Sequence, residues 1–352
     1  MKLVTIIGAR PQFIKASTIS DVINSRHKSF SEVIIHTGQH FDENMSKIFF
    51  DEMEIPRPRY NLNVNNLAYN QMIDTMIGKI VPILKNEKAD ALLVYGDTNS
   101  TLAGSIAGKL CKLPVIHIEA GLRSFNRAMP EENNRIISDH LSTLLFCPTK
   151  NSVENLKKEN LTKSVFFSGD IMFDAFLKYS SKKDIANERY FENEFILSTI
   201  HRRENISDPK KLIAIFNNLD RINEEKKIIM PLHPHTAKKI NEYDIKSKIT
   251  FIEPQGYISN LSLLKKCSLV ITDSGGLQKE SFFSKKKCLV IRNQTEWIEL
   301  VDKKTNLLSS QDDIFNKYKK LIKKEFEFSY NIFGNGKASQ LIIDKIENYF
   351  SN

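Results

Sequence analysis

The 352-residue chain is short of the features that mark several protein classes. It has four cysteines, Cys111, Cys147, Cys267 and Cys288, and no CxxC pair. That excludes a disulfide framework and a cysteine zinc site, and it predicts reduced thiols, most of them buried. "HTGQH" and "HPH" lack a partner at zinc-type spacing, so no metal and no cofactor is expected. No run approaches the ~18 apolar residues of a transmembrane helix, so no membrane partner is expected. The apolar run in "MKLVTIIGAR" meets Arg10 too soon for a signal peptide, and a cytoplasmic location is expected. There is no GxGxxG and no Walker A Lys-Ser/Thr, which excludes ordinary dinucleotide and P-loop sites. Repeats of fixed period and low-complexity tracts are also missing. The net charge of +9 is spread over lysine pairs such as Lys157–Lys158, Lys226–Lys227 and Lys265–Lys266. Without a basic block or interleaved aromatics, nucleic acid is not expected as a partner. Solvated faces, and an anionic small ligand, account for the charge.

What the chain does have is rhythm. Short apolar runs rich in β-branched residues alternate with helix-length amphipathic stretches. The runs are "LVTIIG", "EVIIHTG", "ALLVYGD", "VIHIEAG", "LLFCPT" and "VFFSGD", then "FILSTIH", "KIIMPLH", "ITFIEP", "LVITDSGG" and "CLVIR". Near-continuous apolar strands between helices predict parallel sheets covered on both faces. Eleven strands are too many for one comfortable twisted sheet. The polar stretch 178–194, "KYSSKKDIANERYFENE", breaks the rhythm between the two series. The expected class is α/β, with two doubly wound Rossmann-like domains facing across a cleft, 1–175 and 176–335.

Open parallel sheets bind ligands outside the carboxyl ends of their strands. Polar residues collect there: Gly8–Arg10, His36–His40, Asp97, Glu119, Asp170, His201, His233 and Asp273–Gly276. In "IIGARPQFIK", Arg10 stands beside a helix start, either as part of an anion site or as an exposed arginine in a plain turn. In "VITDSGGLQKESFF", Ser274, Gly275 and Gly276 bring backbone N–H groups to a helix start, which suits a phosphate. Glu280, about one turn on, suits ribose hydroxyls. The strand–turn–helix context excludes a serine protease reading of "DSGG". In "STIHRREN", His201 beside Arg202 and Arg203 suits phosphate binding or an acid role.

The densest chemistry lies in "VIHIEAGLRSFNRAMPEENNR", residues 115–135. Glu119 ends one strand, Asp97 ends its neighbour, and Glu131 is expected to arrive by a loop. Crowded carboxylates raise one another's pKa, which keeps an acid and a base together. The same residues also make sense as a structural ion-pair network with Arg123, Arg127 and Arg135. From these residues alone both remain open.

Together the motifs resemble the non-hydrolysing UDP-N-acetylglucosamine 2-epimerase family. The matching strings are "GARPQFIK", "HTGQHFDENM", "VYGDTNSTLAG", "HIEAGLRSFNRAMPEENNR", "HRREN", "HPHT", "TDSGGLQKE" and "RNQTEW", in the family's order over residues 8–297. The resemblance implies a GT-B architecture, with the C-terminal helix, 336–352, packing back on the first domain. It implies an isomerase that inverts C2 of a UDP-2-acetamido sugar by eliminating and re-adding UDP, without a cofactor, as a homodimer. By motif, Asp97, Glu119, Glu131 and His201 are the catalytic candidates. Arg10, Lys15, Arg123, Arg135, His233, Ser274, Gly275, Gly276 and Glu280 are the substrate-binding candidates. A GT-B glycosyltransferase using a UDP-sugar donor is the alternative. Two departures stand out. Ala9 and Gln12 replace a Thr and a Glu common in the family, and "NVNNLAYNQ" lacks the arginine of members regulated by a second UDP-GlcNAc. "GARPQFIK" with "HTGQHFD" looks more like the branch acting on UDP-2,3-diacetamido-2,3-dideoxy-glucuronate.

Overall fold

A computed structural model describes residues 1–26, 29–39, 52–182, 194–328 and 331–351. His40 and the rest of "HFDENM" lie outside the described residues. The chain divides into two compact units, Met1–Leu177 with Asn331–Asn352, and Lys178–Tyr330.

Unit 1 runs β1 (Lys2–Ile7), α1 (Arg10–Ser25), β2 (Ser31–His36), β3 (Tyr60–Asn61), α2 (Tyr69–Glu87), β4 (Ala91–Tyr95) and α3 (Asn99–Leu110). It continues with β5 (Val115–Ile118), α4 (Pro130–Leu141), β6 (Leu144–Cys147), α5 (Lys150–Lys158), β7 (Val165–Phe167) and α6 (Ile171–Tyr179). The strands form one sheet in the order β3-β2-β1-β4-β5-β6-β7, and every pairing is parallel. β4 is buried along its whole length because helices cover both of its faces. Val4, Ile6, Val33, Leu92, Val94 and Val115 meet Met76, Ile80 and Ala103 in the core.

Unit 2 runs β8 (Ile196–Thr199), α7 (Arg203–Ile206), α8 (Pro209–Glu225), β9 (Ile228–Pro231), α9 (Pro234–Glu242), β10 (Thr250–Ile252), α10 (Tyr257–Lys266) and β11 (Leu269–Thr272). It ends with α11 (Gly275–Phe283), β12 (Lys287–Ile291), α12 (Ile298–Asp302), β13 (Asn306–Ser309) and α13 (Ile314–Ile322). Its sheet order is β10-β9-β8-β11-β12-β13, again all parallel. Two strands, β3 and β13, escape the sequence pattern. β3 is two residues long, and β13 reads "NLLS" with a polar residue at each end.

The last helix, α14 (Ala338–Ser351), belongs to unit 1. The half-buried carboxylate of Asp174 on α6 accepts from the Ala338 and Ser339 N–H groups at 3.1 and 2.7 Å, capping the first turn of α14. Arg26 reaches Asp344 at 2.5 Å and Glu347 at 3.0 Å, fastening α14 to the end of α1. No helix among the described residues is long and apolar enough to cross a membrane.

All four cysteines are free thiols. Burial pushes Cys267 and Cys288 up to about 12 and raises Cys147 as well. Cys111 alone of the four is partly exposed. An aromatic disulfide reagent should therefore label Cys111 in the native protein and the other three only on unfolding. Fast native labelling of Cys147, Cys267 or Cys288, read by mass spectrometry, would contradict this packing.

Candidate active site

In each sheet the strand order reverses once, between β1 and β4 in unit 1 and between β8 and β11 in unit 2. Such switch points open a crevice at the carboxyl edge. Each unit places a polar cluster there.

In unit 1 the chain leaves β1 through Gly8 and Ala9, and leaves β4 through Gly96 and Asp97. A Cβ at Gly8 would collide with the hydroxyls of Thr37 and Ser100, so a bare Cα is needed for this close approach. Gln12 ties the two turns together. Its Oε1 accepts from the Gly8 and Ala9 N–H groups at 2.8 and 3.0 Å. Its Nε2 donates to the Tyr95 carbonyl, Thr98 Oγ1 and Thr101 Oγ1 at 2.9, 2.9 and 3.0 Å. The amides ahead of α1 are thus committed, and Pro11 has none. What this turn presents is the Arg10 side chain, not a cradle of N–H groups.

Four charges make up the rim beside these turns. Lys15 Nζ sits 2.6 Å from Glu119 Oε1, and both side chains are buried. Arg135 Nη2 lies 2.5 Å from Asp97 Oδ2 and 3.7 Å from Glu119 Oε1. Its Nη1 donates to the Glu119 carbonyl. Two cations balance two carboxylates, as burial of charge requires. Burial works against the Arg135 charge, but Asp97, Glu119 and Asp139 outweigh it and raise its pKa. Glu119 has left-handed backbone, φ +69°, so its side chain leaves the strand end in a direction ordinary β geometry does not give.

Glu131 does not arrive by a loop. Pro130 opens α4, and Glu131 and Glu132 fall in its first turn, where acids suit the helix dipole. Glu131, Arg135 and Asp139 follow at four-residue spacing and so share one helix face. Glu131 is exposed, and its charge is felt at Tyr69, whose pKa is raised first by burial and then by this carboxylate. Glu132 turns inward. Its carboxylate accepts from the Ser124 N–H and hydroxyl at 2.8 and 2.9 Å and from the Phe125 N–H at 3.0 Å, holding the loop before the helix. Asn134 Nδ2 donates to the Asp97 carbonyl at 3.0 Å, which ties α4 to the β4 turn.

Beneath the rim lies a second charged layer. Arg123 Nη1 is 2.7 Å from Asp139 Oδ2, while its Nε and Nη2 donate to Glu159 at 2.7 and 2.8 Å. At 1% exposure its side chain holds a support position, under the rim and not on it. His117 meets the other oxygen of Asp139 at 2.8 Å.

In unit 2 the hub is Asp273, fully buried at the end of β11. It accepts from the His201 and Arg202 N–H groups at 3.0 and 2.9 Å and from Asn205 Nδ2 at 3.0 Å. Its Oδ1 is 3.3 Å from His201 Nδ1. The His201 ring stacks on His233, which caps α9. Ser274 caps α11, accepting from the Leu277 N–H. The Gly275 and Gly276 amides fall in the first turn, whose donors lack intrahelical acceptors. A Cβ at Gly276 would meet nothing nearer than Ser274 Oγ at 3.9 Å, whereas one at Gly275 would collide with Glu296. Glu296 is itself held by Arg292 at 2.9 Å and Arg202 at 3.9 Å. Burial opposes its charge, but the two arginines prevail and lower its pKa. Glu280 lies on α11, largely buried.

The family model for UDP-N-acetylglucosamine 2-epimerase matches residues 23–347. The chain belongs to the UDP-N-acetylglucosamine 2-epimerase family. It is 43% identical to a UDP-2,3-diacetamido-2,3-dideoxy-D-glucuronate 2-epimerase of Pseudomonas aeruginosa, over 98% of this chain and 99% of the relative. It is 44% identical to a UDP-N-acetylglucosamine 2-epimerase homolog of Methanococcus maripaludis, over 99% and 100%. Among solved structures, the Methanocaldococcus jannaschii UDP-GlcNAc 2-epimerase in complex with UDP-GlcNAc and UDP superposes with a TM-score of 0.91 at 37% identity, covering 99% and 100% of the two chains. The fold is GT-B-like, as in these neighbours.

Within this 2-epimerase several placed residues carry no role in the sequence reading: His117, Asp139, Asn134 and Arg292. His117 had a usable signal, since a histidine inside a strand buried on both faces must find polar partners. The Gln12 amide is another, and its bonds can be tested. Gln12→Met keeps the volume but removes the acceptor of the Gly8 and Ala9 amides, while the Tyr95 carbonyl keeps the Thr101 hydroxyl. It should cost about 1–3 kcal/mol of stability by urea unfolding; an unchanged midpoint would show that water replaces these bonds.

Proposed function

We propose that the chain is a non-hydrolysing C2 epimerase of a UDP-2-acetamido sugar. The observation that carries this is the convergence of Asp97 and Glu119 on Arg135, in a member of this family. One carboxylate takes the C2 proton as the C1–O bond breaks. UDP leaves with the bonding electron pair, and a glycal stays bound. A proton returns to C2 from the opposite face while the UDP oxygen re-adds to C1, so atoms and charge balance with no cofactor. Lys15 and Arg135 hold the two carboxylates close together, and Glu131 is the third acid/base candidate. Arg10, Ser274, Gly275 and Gly276 are assigned to the diphosphate, Glu280 to the ribose, and His201 and His233 to the leaving-group end. Arg123 is assigned to support of the rim. The assigned substrate is the 2,3-diacetamido-glucuronate nucleotide, on the strength of the Pseudomonas relative and of "GARPQFIK" and "HTGQHFD". A surface-polysaccharide product, a homodimer and a cytoplasmic location go with this proposal. A glycosyltransferase with the same donor is not favoured: transfer needs no acid/base pair beside C2, and the relatives carry 2-epimerase names.

Incubation with each UDP-sugar, followed by proton NMR, tests the assignment. A manno-configured UDP-sugar should form from the uronate substrate. Turnover of UDP-GlcNAc alone would place the chain with the other relatives, and turnover of neither would refute the epimerase. Glu119→Gln should retain UDP binding and lose at least about 10²-fold in turnover; full activity would remove Glu119 from the chemistry.

A further inference from the structure

His117 is fully buried in β5, two residues before Glu119. Its Nδ1 lies 2.8 Å from Asp139 Oδ1, and its Nε2 lies 2.7 Å from the Gly96 carbonyl oxygen. Gly96 immediately precedes Asp97. It has left-handed backbone, φ +65°, and a Cβ there would stand 3.1 Å from Glu119 Oε1 and 3.3 Å from Lys15 Nζ. The carbonyl that His117 grips therefore belongs to the turn touching the Lys15–Glu119 pair. Both ring nitrogens face acceptors. A backbone carbonyl has no proton to give. Asp139 is ionised, because its second oxygen accepts from Arg123 Nη1 at 2.7 Å and the Gly121 N–H at 3.1 Å. Burial alone would raise the Asp139 pKa, but His117, Arg123 and Arg135 hold it below the ordinary value. Only a doubly protonated ring satisfies both acceptors.

We infer that His117 is a positioning residue, a ring that donates from both nitrogens and is clamped by Asp139, fixing the Gly96–Asp97 and Glu119 turns for proton transfer at C2. The inference rests on the epimerase function proposed above. The chain Glu159–Arg123–Asp139–His117 alternates in charge and ends on the Gly96 carbonyl. It lies under the rim and reaches it through the Gly96 carbonyl, so it sets the direction of the carboxylates without entering the chemistry. The charged and titratable groups around it are Asp139 and Arg135 from α4, Arg123 from the loop before α4, Cys147 from β6, Lys15 from α1, and Asp97 and Glu119 at the strand ends.

The test compares wild type, His117→Gln and Asp139→Asn. For each, epimerisation kcat and KM and calorimetric UDP affinity are measured, with ¹⁵N NMR of the His117 ring between pH 6 and 9. Misplacing reacting groups by about 1 Å costs about 10²-fold in rate. Both variants should lose about that much kcat while KM and UDP affinity stay within about twofold. The wild-type ring should show two protonated nitrogens at neutral pH, and the Asp139→Asn ring should show one. A neutral ring in wild type overturns the inference. So does a folded His117→Gln with undiminished kcat. If either variant fails to fold, the wild-type ring signature decides. Absence of turnover in wild type would count against the epimerase function, while the ring signature would still report on the clamp.

Discussion

One guanidinium organises the first unit. Arg135 bonds to the carboxylate of Asp97, to the backbone carbonyl of Glu119, and more distantly to the Glu119 carboxylate. Two acids from adjacent strand ends would otherwise repel each other in a poorly solvated place. With Lys15 at the same Glu119 oxygen, the four side chains set two cations against two carboxylates. Neutrality lets them be buried, and the Arg135 fork sets their angle. Arginine serves here where lysine would not, since two separate acceptors need two donors at fixed geometry.

The rest of unit 1 can be understood as support for that contact. α4 supplies Glu131, Arg135 and Asp139 along one face, from solvent to core. Glu132 and Asn134 anchor the same helix to its entry loop and to the β4 turn. Gln12 staples the β1 and β4 turns at the point where the sheet order reverses. In unit 2 the same economy recurs: one buried acid, Asp273, gathers His201, Arg202 and Asn205 at the corresponding reversal. Each unit thus builds its cluster by threading backbone amides and cations onto a few carboxylates.

The alternation of strands and helices was legible in the sequence because apolar runs and breakers are local signals. "ALLVYGD" and "LVITDSGG" announce both a strand and the polar residues at its end. β3 and β13 were not legible, being two residues long in one case and flanked by polar residues in the other. Glu131 was read into a loop although Pro130 marks a helix start. The pairings inside the candidate site were the least legible part. Lys15 meets Glu119 across 104 residues, and Arg135 meets Asp97 across 38. Such contacts depend on sheet order, which no local pattern reveals. The choice between an ion-pair network and a reactive rim also proves too sharp. The arginines that neutralise Asp97 and Asp139 make a network, and that network is what holds the candidate acid and base in place.

The central claim is that this rim moves a proton at C2. Solvent deuterium tests it most directly. In D₂O the wild-type protein should place one deuterium at C2 of the epimerised UDP-sugar and, as equilibrium is approached, of the starting UDP-sugar too, with hydrogens at the other ring carbons untouched. Epimerised product that retains its original C2 hydrogen would contradict the account.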